Sequence, residues 1–234
     1  PVVGSDSQAL TSVAFRFMKE GRRMYAFGCR LKQLRFRVEG DVVMVTQTFE
    51  PAVILRDDNV VTPVAWTAPS GTVCKWSQGE HLIGSAVSDG AAAGAEVART
   101  ALSLSSWECT IDFSLAPVGG GSTSILRRAN TEVTDAQIAV SIKSEPNTTL
   151  RDMRRKRQTR MLVIGAGPAP ITGDGASGYG FAVVVPAAML TKGSDMVEEA
   201  DHQMEDFELS GSRWTGDDST DKPAGTAFRL LMPW

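Results

Sequence analysis

The stretch from Phe27 to Phe49 constrains the fold most, because it has the pattern of one long β-hairpin. In its first arm Leu34 and Phe36 alternate with Arg35 and Arg37, as in a strand with one apolar face. The second arm alternates in the same way, and its apolar positions include Val43, Val45 and Phe49. The sequence therefore predicts two antiparallel strands that share an apolar face.

The turn of this hairpin is predicted at Glu39-Gly40-Asp41, where glycine can supply the positive φ of a tight turn. A two-residue loop at Glu39-Gly40 would place Phe36 opposite Val43, and a three-residue loop would place Phe36 opposite Met44. We prefer the first register, and the sequence leaves both open.

The clearest single strand runs from Trp107 to Leu115, with strict alternation of apolar and polar residues over its whole length. Further strands are predicted by the same pattern near residues 13–17, 132–143, 181–190 and 207–214. One helix is predicted to begin near Asn147, whose side chain can cap free N–H groups, and to continue toward Arg160. We expect an all-β fold with one flanking helix, a sandwich or a barrel, in a single domain spanning residues 1–234.

Composition excludes several classes of protein. Hydrophobic residues make up 42% of the chain and charged residues 22%, which argues against wholesale disorder. The formal charge of −3 gives no basic surplus for tight, sequence-reading nucleic-acid binding. The longest uncharged apolar runs, such as Val183–Leu190, are too short to span a bilayer. The first residue is Pro1 rather than Met, so we expect an N-terminus that is processed, trimmed or incomplete.

Motifs that could carry chemistry are weak. The segment Val163–Pro170 begins like a dinucleotide-binding turn, but Pro170 replaces the third glycine and the glycines that follow disfavour a helix. The two histidines, His81 and His202, and three widely spaced cysteines give neither a metal-ligand spacing nor a disulfide framework. We expect no enzymatic activity, no cofactor and no metal, with the thiols reduced and buried.

The only dense basic cluster lies at the predicted helix, in the run RRKRQTR. It could dock phosphates, or it could be a solvated face that pairs with acidic loops of a neighbouring subunit. The second interpretation is favoured, because no aromatic residues interleave with the cluster to stack bases. The basic helix face comprises Arg154, Arg155, Lys156 and Arg160.

The order of these patterns resembles that of the tail tube proteins of tailed bacteriophages. The resemblance begins at TSVAFRFMKEGRRMYAFGCRLKQLRFRVEGDVVMVTQTFEPAV, where it rests on Phe27, Gly28, Cys29, Leu34, Gly40, Val45 and Phe49. It continues through WECTIDFSLAP, TEVTDAQIAV, the single helix, the strand ending at Pro186 and the closing DFELSGSRW. The resemblance covers nearly the whole chain.

This resemblance implies a virion protein, made in the host cytoplasm, whose subunits form hexameric rings that stack into a tail tube. Its expected partners are copies of itself, other tail proteins at the tube ends and double-stranded DNA that passes through the lumen without specific binding. The hairpin would contribute to an inner barrel between subunits through Leu34, Arg35, Phe36, Arg37, Val43, Val45 and Phe49. Glu108 and Asp112 would face the lumen, whereas Lys32, Arg35 and Arg37 make the hairpin locally basic, which departs from a lumen that does not retain DNA.

Other functions remain open from the sequence. A tail terminator or baseplate ring would share the same patterns. A monomeric β-sandwich binding module, for carbohydrate or adhesion, would use Trp66, Trp76 and Trp214 as a ligand platform. An oxidoreductase ranks last, since it rests on the glycine motif alone.

Overall fold

The computed structural model describes residues 12–60, 75–79, 81–86, 100–119, 128–167, 181–193, 196–199, 202–212 and 228–231. Within these ranges the chain is mostly antiparallel β-sheet with one α-helix, as the alternating patterns predict. The helix α1 is Thr148–Lys156. The strands are β1 Val13–Lys19, β2 Arg22–Glu39, β3 Val42–Glu50, β4 Val53–Val60, β5 His81–Ala86, β6 Thr100–Ala101, β7 Leu104–Gly119, β8 Arg128–Ser144, β9 Thr159–Ala166, β10 Phe181–Lys192, β11 Met196–Glu199, β12 His202–Ser212 and β13 Arg229–Leu231.

Strand β2 is 18 residues long and belongs to two parts of the sheet. Along one side its first half pairs with β4 and its second half with β3, so that these two strands together line most of its length. Along the other side its first half pairs with β1 and its second half with β7. The first half of β2 therefore extends beyond the body of the sheet as the middle of a three-stranded arm, made of β1, residues 22–27 and β4.

The hairpin expected at 27–49 is present, but its register differs from both alternatives. The two-residue loop is Gly40-Asp41 rather than Glu39-Gly40, and Phe36 lies opposite Val45 rather than Val43 or Met44. Gly40 has φ +64°, which suits the first position of a two-residue hairpin loop. Asp41 takes the second position, where its backbone and side chain bind the 3₁₀ turn at Trp76–Gln78.

The rest of the sheet follows β7 in the order β8, β12, β10, β9, β5, β6, with β11 beside β12 and β13 beside β10. Apolar residues from β2, β7 and β8 share one core with apolar residues from β9 and β10. The sheet thus curls over itself into a sandwich-like fold. Buried members from the two halves include Phe36, Trp107 and Ile142 on one side and Leu162, Ile164 and Val183 on the other.

Helix α1 begins where the sequence predicts it. The Asn147 side chain accepts hydrogen bonds from the backbone N–H groups of Thr149 (2.9 Å) and Leu150 (3.3 Å). The helix ends earlier than expected, because Arg157 has φ 49°, a left-handed conformation that terminates helices. Arg160 therefore belongs to β9 and not to the helix.

Candidate assembly surface

Exposed apolar side chains are concentrated on β1–β4. Ten of the eleven large hydrophobic residues that are exposed in the described part of the chain lie there, and the eleventh, Met189, lies on β10. Such a concentration differs from the scattered apolar residues of an ordinary surface and marks an interaction site. The ten residues are Val13, Phe15, Phe17, Met18, Phe27, Val42, Met44, Val45, Ile54 and Leu55.

The arm carries apolar side chains on both of its faces, with charged residues between them. Residues paired across an antiparallel sheet share a face, and Phe15, Ala26 and Ile54 form one such row. On the opposite face Arg16, Tyr25 and Leu55 form a row, where the rings of Tyr25 and Phe27 stack at 6.0 Å. Ile54 and Leu55 are each 52% exposed although they point to opposite faces, so each face leaves apolar surface in contact with solvent.

The outer edge of β3 and β4, which faces away from β2, is a second candidate surface for contact with another chain. Their inner edges are bound to β2, and among the described residues the outer edge makes only one bridge, between Val42 and Lys75. Met44 and Val45 are 43% and 47% exposed along this edge. An open, apolar edge strand is a template for pairing with another chain.

Opposite the core, the second half of β2 and its neighbour β7 present a polar face whose charges are paired. The Arg35 guanidinium donates to the Glu108 carboxylate at 2.6 Å, and this hydrogen bond is the main cause of the raised pKa of Arg35. Gln33 donates to Asp112 at 2.7 Å, and Arg37 donates to Glu39 at 3.1 Å. The arginines that make the hairpin basic in sequence are thus neutralised locally.

A polar cleft of about 280 Å³ continues this face across β8, β10 and β12. Lys192 pairs there with Glu208 at 3.1 Å, and Ser141 of β8 lies in register with Glu108 on one side and Glu208 on the other. Positive and negative charges alternate in the cleft, so it presents no concentrated charge to an ion. The lining residues are Ser106, Ser141, Lys143, Lys192, Gly193, Asp206 and Glu208.

The tip of the hairpin is held against the body of the fold. The Asp41 carboxylate accepts hydrogen bonds from the Ser77 backbone N–H at 2.8 Å and from the Ser77 hydroxyl at 2.9 Å. These two hydrogen bonds hold the pKa of Asp41 below its usual value, and the bond from the Ser77 backbone N–H has the larger effect. The turn between β2 and β3 is therefore anchored to the 3₁₀ turn at Trp76–Gln78.

The predicted hairpin residues divide between three environments. Leu34 and Phe36 are buried in the subunit's own core, and Val43 is packed against that core. Arg35 and Arg37 lie on the polar face. Val45 is exposed on the outer edge, and the Phe49 ring contacts the Phe15 ring with centroids 4.7 Å apart. Only part of this set is thus at the surface of the subunit.

The other predicted residues are also separated. Glu108 and Asp112 lie together on the polar face, as expected from their spacing on one strand. The side chains of Arg155 and Lys156 pair with Asp152 within the helix at 3.1 and 2.8 Å, and Arg154 packs against Gly193. Arg160 donates to the backbone oxygen of Gly84 at 3.0 Å, away from the helix surface.

Sequence reasoning missed the apolar residues of the arm as a surface. The alternation of Val13, Phe15 and Phe17 was visible, but it predicts a strand without saying which face is covered. The signal that could have identified the surface is the second apolar series on the opposite face, with Met18, Phe27 and Leu55, because a half-buried strand has one apolar face only.

The histidines, cysteines, tryptophans and glycine motif considered for catalysis or ligand binding do not form a recognisable site among the described residues. Within the described ranges no group of His, Cys, Asp and Glu side chains could hold a metal ion. Trp76 is buried and its ring stacks on His81 at 3.8 Å, whereas Trp66 and Trp214 lie outside the described residues. The glycine motif begins within β9, and its residues beyond Gly167 also lie outside the described residues.

Comparisons with known proteins give no family. Neither a family model nor a curated protein matches the chain. Among the residues that the structure describes, no helix has the length and hydrophobicity needed to cross a membrane.

Proposed function

We propose that this protein is a structural subunit of a phage tail tube, without enzymatic activity, that assembles into stacked rings around a lumen for DNA. The observation that carries the proposal is the concentration of exposed apolar side chains and an open strand edge on β1–β4. Left in water, such an edge is an aggregation hazard, and pairing with equivalent edges around a closed ring removes the hazard.

The polar face of β2 and β7 supports the proposal that the rings enclose a lumen for DNA. A lumen that conducts DNA needs a lining that does not bind phosphates, and such binding depends on unpaired Lys and Arg. Arg35 is paired with Glu108, and Arg37 is paired with Glu39, so the basic hairpin no longer conflicts with a lumen. In the proposed ring the β2–β3 hairpin and β7 line the inner wall, with Glu108 and Asp112 facing the DNA. The stacked rings, six subunits each, would stand in the virion with other tail proteins at both ends.

Negative-stain microscopy of the concentrated protein tests this function. We expect rings or tubes with a central hole, and a protein that stays monomeric at every concentration and ionic strength would contradict the proposal. A tail terminator or baseplate ring would give single rings that do not stack. For a monomeric binding module the platform would need an exposed Trp76, which is only 8% exposed.

A further inference from the structure

The arm is a three-stranded sheet that exposes large apolar side chains on both of its faces. One face carries Phe15, Phe17 and Ile54, and the other carries Met18, Phe27 and Leu55. A sheet in a folded protein buries at least one face against another layer. Among the described residues neither face of the arm packs against such a layer, although the sheet is continuous with the core.

The area involved is large enough for more than one contact. With about 200 Å² for a fully exposed large side chain, the seven exposed large hydrophobic residues of the arm present about 600 Å² of apolar surface. A standard interface removes about 800 Å² from each partner, of which somewhat more than half is apolar. The exposed apolar surface of the arm thus exceeds the apolar part of one such interface.

Symmetry indicates what can cover both faces. A two-fold dimer buries a patch against the identical patch of its partner, so it would cover one face of the arm and leave the other in water. Two neighbours are needed, and head-to-tail contacts between copies supply two different neighbours to every chain. The charged residues on the arm are of both signs, among them Arg16, Glu20 and Asp57, which favours a protein partner over a nucleic acid.

We infer that the arm is inserted between two other copies of this chain, with a different copy covering each of its faces. The inference rests on the proposed function and adds to it, because it assigns subunit contacts to β1 and β4 as well as to the hairpin edge. It also requires that the contact at each face can be removed without the other. If the contact at one face is lost, each chain keeps only one neighbour at the arm, and assembly stops at a smaller species.

Two paired substitutions separate the faces. Phe17→Thr with Ile54→Thr removes apolar surface from one face, and Met18→Thr with Leu55→Thr removes it from the other. Threonine is a favourable strand residue, so the arm keeps its backbone. Met189→Thr is the matched control, because Met189 is 42% exposed and lies outside the arm. Circular dichroism and thermal unfolding verify that each variant folds.

Assembly is followed by light scattering after gel filtration and by electron microscopy over a range of concentrations. We expect each paired variant to need at least about tenfold higher concentration than the wild type to assemble, and the two variants to stop at species of different size. The control should assemble as the wild type does. If either paired variant assembles normally, only one face or neither is covered, and the inference is overturned.

The outcomes keep this inference apart from the proposed function. Tubes formed by the wild type and by both paired variants would support the proposed tail tube and would overturn the inference that other copies cover both faces of the arm. A wild-type oligomer without rings or tubes, lost in both variants, would support the arm and overturn the tube. A wild type that remains monomeric in every condition would overturn both.

Discussion

Cys109 is the smallest member of the apolar row on β7, and its thiol is fully enclosed. Burial raises the pKa of this thiol to about 12, and burial also raises the pKa of Cys29. Because the thiolate is the reactive form, we expect neither residue to react with a thiol reagent at pH 8 while the protein is folded. A Cys74→Ser variant restricts the assay to these two thiols, and both should react once urea is added. Rapid labelling of the folded variant would show that the strands around them open readily.

A second residue-scale prediction concerns the buried carboxylate of Glu205. Arg151 of helix α1 donates to Glu205 Oε1 through Nε at 2.8 Å and through a second guanidinium nitrogen. Glu205 is 1% exposed, and its Oε2 has no hydrogen-bond partner in the described part of the chain. Arg151→Met leaves this charge buried and unpaired, so we expect chemical denaturation to show a loss of about 3 kcal/mol in unfolding free energy.

The double variant Arg151→Met with Glu205→Leu is the control. It removes both partners and replaces them with apolar groups of similar size, which is often neutral for stability. We expect it to recover most of the loss caused by Arg151→Met. A double variant as unstable as the single one would mean that the aliphatic stem of Arg151, and not its charge, holds the helix on the sheet.

The hairpin shows how far sequence reasoning reaches at the scale of elements. Alternation at Leu34 and Phe36 was sufficient to predict the strands, because a period of two is a property of the sequence itself. The register was not predictable in the same way. It depends on Asp41 binding Ser77, which lies 36 residues away and in a part of the chain without a strong pattern. Likewise, helix α1 begins at a capping residue visible in sequence, but its end depends on the backbone of Arg157.

The docking of the hairpin tip should depend on pH. The folded pKa of Asp41 is lowered, so its contribution to stability is complete above its unfolded pKa of about 3.9 and is lost as pH falls through the lower folded value. We expect wild type to unfold at a higher temperature than Asp41→Asn at pH 6, and the difference to disappear in strong acid. Ser77→Ala should show a smaller difference, since it keeps the backbone hydrogen bond. A gap between wild type and Asp41→Asn that stays constant down to pH 2 would contradict this assignment.

At the scale of the whole molecule, the sequence predicted the class of fold but not its exposed surface. Phe15 and Phe36 occupy equivalent places in alternating patterns, yet Phe36 is 2% exposed and Phe15 is 40% exposed. The difference arises because the other half of the sheet packs on the second half of β2, whereas Phe15 lies on β1, in the arm, on which no second layer packs among the described residues. Which strands pack together is a property of the entire chain, so no local pattern could reveal the arm.

The charge pairing of the polar face leads to the last prediction, which concerns DNA in the assembled tube. Glu108→Gln with Glu39→Gln releases Arg35 and Arg37 in every subunit, and in the proposed ring these cations would be repeated around the lumen. We expect tubes of this variant, assembled with a short DNA duplex, to retain the DNA in sedimentation, and wild-type tubes to release it. Retention should fall steeply with salt, because each phosphate contact displaces counterions. Adding Arg35→Gln and Arg37→Gln to the same variant should restore release. If tubes of the first variant form but retain no DNA, the polar face lies on the outer wall, and the lumen must be lined by another surface of the subunit.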